Sequence, residues 1–286
     1  MQTSRLARRA VPTILASVIV AAISSRAMAD EKYTIHENLH PGQKSKLTVF
    51  EDFKIKSTST ANGKADVTDT DTVHSWKATL TIVAVKDGSS THSQVDVDPD
   101  SFDTTQDAGA EAKKAPCPFA GKSINLLRHF DDSITDDFKG AADDDDTAML
   151  DGLMAPDQEY YSEKPVAVGD IWDNSDAVSK YASIGPKDKC TSKAQLDWVK
   201  TIDGKQLAQI TDSVAIVYHD DGNVEQDTEI TIVNLVDLAS GTIIKQDQKG
   251  TGKYTTPAKE PTQVTGGMEF TIHAELQPEA KPATQP

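Results

Sequence analysis

Asn62-Gly63, Asp87-Gly88, Asp203-Gly204, Asp221-Gly222 and Ser240-Gly241 punctuate long stretches in which apolar and polar residues alternate. Side chains of a strand point alternately to its two faces, so period-two stretches closed by such dipeptides encode antiparallel hairpins. Trp76, Ala78, Leu80, Ile82 and Ala84 alternate with Lys77, Thr79 and Thr81. Thr91 to Val97 returns from the Asp87-Gly88 turn, and Ser123 to Phe130 is a further strand. In the second half Ser192–Thr201, Gln206–Tyr218, Val224–Leu238, Thr242–Tyr254 and Val264–Leu276 follow one another with little between them but turns. The expected fold is therefore mainly β, a long antiparallel meander forming a curved sheet or half-barrel.

Between the halves, Leu150, Leu153 and Met154 sit three and four residues apart, which predicts one face of a short helix closed by Pro156. Asp143 to Asp146 supply carboxylates for its N-terminus. Lys46 to Ser57 reads as a strand whose apolar positions Leu47, Val49, Phe53 and Ile55 are interrupted near Phe50-Glu51, as a bulge would do. Asp98 to Pro118 reads as a loop. The halves, about 45–130 and 165–276, share a strand–turn–long strand pattern, and a single β-rich domain is expected over 30–276, with a disordered tail over 277–286.

The first 29 residues set the expected location. Arg5, Arg8 and Arg9 precede an apolar run from Val11 to Ile23, and Ala27-Met28-Ala29 follows. That is the layout of a secretory signal peptide cut between Ala29 and Asp30, by general secretion rather than the twin-arginine route. The apolar run is short of the roughly 20 residues a membrane-crossing helix needs. An exported, periplasmic or secreted chain is the expectation, with no membrane span once the signal is removed. The formal charge of −16 opposes binding to nucleic acid or anionic lipid. Cys117 and Cys190 suit one disulfide in an oxidising compartment.

No motif of catalysis emerges. Gly121-Lys122-Ser123 ends like a phosphate-binding loop, but its first required glycine falls on Pro116. There is no Gly-x-Ser-x-Gly elbow. No catalytic residue and no cofactor are assigned; Asp143, Asp144, Asp145 and Asp146 are the candidates for a calcium site. Trp76, Ile82, Trp198, Ile216, Ile232 and Phe270 would face the concave side of a curved sheet. They are core residues or, in a sharper reading, the lining of a cavity for an apolar ligand.

Gly121-Lys122-Ser123, the leucine-bearing helical segment and Lys164-Pro165-Val166-Ala167-Val168-Gly169-Asp170-Ile171-Trp172 occur in that order. The chain thereby resembles uncharacterised exported bacterial β-rich proteins of the domain-of-unknown-function type, which carry a P-V-x-V-G-D-x-W strand, over roughly residues 45–276. The resemblance implies an exported β-rich fold, with a distant analogy to curved-sheet lipoprotein carriers, and it brings no catalytic residues. The reading is a non-catalytic envelope protein that binds an apolar small molecule. The alternatives are a structural or interaction protein whose acidic face meets a basic envelope partner or calcium, and a hydrolase with an unrecognised site.

Overall fold

The computed structural model describes residues 31–61, 64–107, 109–130, 133–140, 150, 153–154, 157–181, 188–219, 225–255 and 262–279. The expected signal peptide and its cleavage site, Asp143 to Asp146, and residues 280–286 lie outside these.

The strands are β1 (Lys32–Tyr33), β2 (Lys44–Ala61), β3 (Lys64–Lys86), β4 (Ser89–Val97), β5 (Phe102–Asp107), β6 (Lys113–Pro116), β7 (Ser123–Arg128), β8 (Ile134–Asp136), β9 (Val166–Ala167), β10 (Ile171–Asp173), β11 (Lys189–Ile202), β12 (Lys205–His219), β13 (Glu225–Asp237), β14 (Thr242–Thr255) and β15 (Thr262–Pro278). A 3-10 turn, Asp157–Tyr160, precedes β9, and helix α1, Ser175–Tyr181, follows β10. Leu150 is helical as well. The protein is a large curved antiparallel sheet that does not close into a barrel. Thirteen strands share it, in the order β10-β11-β12-β13-β14-β15-β2-β3-β4-β7-β8, with β5 and β6 extending from β3. β1 and β9 form a separate pair.

The first and last long strands join the halves. β15 pairs with β2 from Thr262↔Ala61 to Pro278↔Ser45. β15 thus runs through Gln277 and Pro278, into the segment expected to be a tail. Period-two patterning makes the sheet two-faced. One row across the inner face reads Leu196, Ile210, Asn234, Gln246, Ala274, Val49, Trp76, each directly opposite the next. The outer face carries residues such as Lys46, Thr48 and Lys77, which are exposed.

Two apolar clusters cover the inner face. The first joins Trp76, Val95, Ile124 and Leu126 to Phe119, Leu150 and Met154. Leu153 packs against it too, so the three leucine and methionine positions read as one helix face all meet the same core. The second joins Leu196, Ala208, Ile210 and Val236 to Tyr33, Ile35 and Tyr161.

Three expectations are corrected, and one element is added. β2 has no bulge at Phe50-Glu51: its register with β3 and β15 runs unbroken, and Glu51 takes an inner-face position opposite His74. The stretch 98–118 is not a loop throughout. β5 continues along β3 beyond the end of β4, pairing Ser75↔Phe102 to Thr70↔Asp107, and β6 folds back on it. A helix, α1, stands where the sequence suggested none. No disulfide joins Cys117 to Cys190. Cys117 belongs to the cluster beneath β4 and β7, whereas Cys190 is on β11 opposite Ile216. Seven strand spacings, roughly 34 Å along the sheet, separate β11 from β4, against the roughly 4–7 Å between α-carbons that a disulfide requires.

The Val166–Trp172 motif is a connector. Val166 and Ala167 pair with Tyr33 and Lys32. Gly169 adopts φ +93° and donates its N–H to Leu196 O at 2.7 Å. The Asp170 carboxylate accepts the Ala167 N–H at 2.8 Å, closing the turn that hands the chain from the small pair to β10 at the edge of the large sheet. Trp172 anchors it, donating Nε1–H to Tyr160 O at 3.0 Å.

Candidate functional site

Between the two clusters the inner face holds a cavity of about 200 Å³. Its floor is built by alternate residues of neighbouring strands: Ser45 and Leu47 on β2, Leu80 and Ile82 on β3, Ala274 and Leu276 on β15, and Gln246 on β14. Its roof comes from chain that crosses the sheet: Glu37 and Leu39 on a strap after β1, Leu153 and Met154, and Asp157 at the start of the 3-10 turn.

The strap is stitched to both halves through backbone. Asn38 N–H donates to Ser240 O at 2.7 Å, Leu39 N–H to Gly88 O at 2.8 Å, and Gly42 N–H to Ile82 O at 2.7 Å. Gly88 and Gly241, from the β3–β4 and β13–β14 turns, have φ of +90° and +64°. A Cβ on either would run into the strap: at Gly88 it would lie 2.4 Å from Glu37 O, and at Gly241 1.8 Å from His36 O. Two hairpin turns, one from each half, thus grip the same piece of chain through their lack of side chains. Gly241→Ala should cost about 2–4 kcal/mol, combining a left-handed non-glycine residue with a backbone clash. Urea unfolding of the variant against wild type measures it.

The roof is latched by polar contacts. Gln158 Oε1 accepts the Glu37 N–H at 3.0 Å and lies 3.1 Å from His36 Nδ1. Asp157 Oδ2 accepts the Ile243 N–H at 3.0 Å. Tyr161 O–H donates to Gly241 O at 2.8 Å. Ser89 O–H donates to Glu37 Oε2. Burial drives Asp157 up to about 7, with the charge of Glu37 adding to the shift and the Ile243 N–H opposing it. Burial also raises Glu37, against the hydrogen bond from Ser89 and the charge of Arg128. Burial, then the charges of Asp157, Glu37 and Asp212, push Tyr161 well above its usual value.

A polar seam crosses the inner face to the cavity wall. Asp212 accepts hydrogen bonds from Asn174 Nδ2 at 2.7 Å and Asn234 Nδ2 at 3.0 Å. Asn234 Oδ1 accepts from Gln246 Nε2 at 2.9 Å. Burial lifts Asp212 to about 6, although both amide donors act to lower it.

Of the six side chains singled out from the sequence, Ile82 lines the cavity. Trp76 shares its strand face and is buried in the first cluster beside Val49. Ile216, Ile232 and Phe270 are inner-face residues farther along their strands; Phe270 stacks on Phe53 at 5.7 Å between ring centroids. Trp198 points the other way. A bulge between Leu196 and Trp198 inserts Asp197, so Trp198 pairs with Gln209 while Leu196 pairs with the inner-face Ile210. The Lys200 ammonium lies 4.6 Å from its ring centroid.

Sequence reasoning missed Glu37, Asp157, Thr242 and the strap that brings them together. No local signal marks them, because the roof is assembled from segments far apart in the chain. Among the described residues no group of three or more His, Cys, Asp or Glu side chains could hold a metal ion, and no helix is long and apolar enough to cross a membrane.

Fold and site together define a curved antiparallel sheet with a roofed cavity on its inner face. No protein-family model matches the chain, and no curated protein matches it. Solved structures align with it, three of them described in turn. Lipovitellin, in a study of its lipid–protein interactions, is 8% identical with a TM-score of 0.45; the alignment covers 86% of this chain and 26% of that one, so this chain spans about a quarter of lipovitellin's length. A DUF1329 family protein from Desulfovibrio piger ATCC 29098 is 8% identical over 85% of this chain and 88% of that one, with a TM-score of 0.12. A putative outer membrane lipoprotein-sorting protein domain from Vibrio parahaemolyticus is 7% identical over 93% and 94%, also with a TM-score of 0.12. Similarity this low assigns no activity, and the functional reading rests on the site itself.

Proposed function

We propose that the chain is an exported, non-catalytic binding protein of the bacterial envelope that holds one small apolar ligand, or the end of a longer one, in the roofed cavity on the inner face of its sheet. The observation that carries this reading is the cavity itself, walled by Leu39, Leu47, Leu80, Ile82, Met154 and Leu276 beneath a latched roof. Pockets for small molecules are concave, mostly apolar and oriented by a few polar groups, and this one has that make-up. Its volume, about 200 Å³, is below the roughly 300–1,000 Å³ of drug-sized sites, which limits the occupant to a short alkyl or ring group. Export rests on the signal-peptide layout of residues 1–29.

Native mass spectrometry with solvent extraction, on protein exported by a host cell and purified without detergent, tests this. A co-purifying small apolar mass is expected. Ala274→Trp, which puts an indole on the cavity floor, should abolish it and leave the fold intact by circular dichroism. An empty wild-type protein that also takes up no added 1-octanol would overturn the reading.

A further inference from the structure

Glu37 and Asp157 both line the cavity. Among the described residues neither has an ion-pair partner, and the charge of Arg128 acts on Glu37. Lys245, also on the wall, is engaged with Asp247 at 3.2 Å. Glu275 lies opposite the outer-face Thr48, and its carboxylate accepts from Gln277 Nε2 at 2.8 Å away from this pole. Thr242, next to the Ile243 whose N–H meets Asp157, also lines the cavity; it is 6% exposed and its Oγ1 is buried with no hydrogen-bond partner. The cavity thus has an apolar body and one acidic, under-satisfied pole. A buried carboxylate without a counter-charge is costly, and a bound group that supplies N–H donors and positive charge relieves that cost with charge-assisted hydrogen bonds.

We infer that the cavity selects the head group of its ligand as well as its chain: an alkyl or aryl ligand ending in a primary amine, with the ammonium at Glu37, Asp157 and Thr242 and the apolar part against Leu80, Ile82 and Leu276. The inference rests on the cavity-binding reading above. A carboxylate-terminated chain is excluded from the pole by like charge.

The test is calorimetric titration of the full protein at pH 8 with octylamine, 1-octanol and octanoate, three probes of one chain length. Octylamine should bind at least about tenfold more tightly than 1-octanol, and octanoate at least about tenfold more weakly than 1-octanol. In the Glu37→Gln, Asp157→Asn double variant octylamine should fall to within about twofold of 1-octanol measured on the same variant. Octanoate binding as well as 1-octanol, or octylamine no better than 1-octanol, would overturn the inference and leave the cavity reading standing; the wild-type ranking decides this even if the variant fails to fold. An amine preference that survives in a folded variant would also overturn it. Failure of all three probes to bind would overturn both.

Discussion

Acidification from pH 8 to pH 5 should stabilise this protein by several kcal/mol. Asp157 and Asp212 have folded pKa values of about 7 and about 6, each raised from 3.8 by burial. For an acid raised in this way the native state binds more protons than the unfolded chain between the two values. The unfolding free energy is therefore full below about pH 4 and is lost as the pH rises through 6 for Asp212 and 7 for Asp157. At roughly 1.4 kcal/mol per pKa unit, the upper bounds are roughly 4 kcal/mol for Asp157 and roughly 3 for Asp212. Glu37 and Glu51, also raised by burial, act in the same direction. Asp96, Asp137, Asp173 and Asp247 are lowered, so their stabilisation is lost only below about pH 4, outside this window. Asp157→Asn should flatten the profile between pH 6 and 8, because an amide oxygen can still accept the Ile243 N–H without titrating. Asp212→Asn is a poorer probe, since its carboxylate accepts from two amide donors and an amide would set a donor against one of them. Chemical unfolding at half-unit pH steps measures the profile, and stability that rises from pH 5 to 8 in the wild type would contradict it.

Trp76→Ala should destabilise the protein by about 3–5 kcal/mol, the range for deleting a large buried aromatic. Trp76 is 2% exposed and sits at the centre of the first cluster, with Val49 directly opposite on β2. Trp76→Phe should cost far less, about 1 kcal/mol or under. The indole Nε1 is buried without an acceptor, and leaving such a donor unpaired costs roughly 1–3 kcal/mol. Phenylalanine loses some packing but removes that penalty, so the two effects oppose each other. Equal losses in the two variants, by guanidinium unfolding, would show that the orphaned N–H contributes nothing.

The strands were legible because each carries its own evidence. Trp76, Ala78, Leu80 and Ile82 share a face by period alone, and Asp87-Gly88 and Asp203-Gly204 form the turns their sequences require, with φ positive at all four residues. Leu150, Leu153 and Met154 were legible as one face for the same local reason. What escaped is non-local or locally ambiguous. Glu51 looked like an interruption, but a polar side chain can hold an inner-face position where His74 stands opposite it. Trp198 continued the alternation of Ala194 and Leu196 on paper, and the inserted Asp197 turned it over. Thr104 and Thr105 pair with β3 in a stretch whose acids and alanines read as loop. Of the six side chains read as a cavity lining, Ile82 reaches the cavity wall. The roof escaped entirely, because strap, 3-10 turn and two hairpin glycines meet only after the halves join through β15 and β2.

The most direct test of the central claim is a methyl-labelled NMR titration of the protein with 1-octanol. Saturable shifts should appear at Leu39, Leu80, Ile82, Met154 and Leu276 around the cavity, with Ile216 on the same sheet face and Leu196 in the second cluster unmoved. Shifts confined to the exposed Ile55 and its neighbours along the sheet, or no saturable shift at all, would contradict a ligand-binding cavity at this place in the fold.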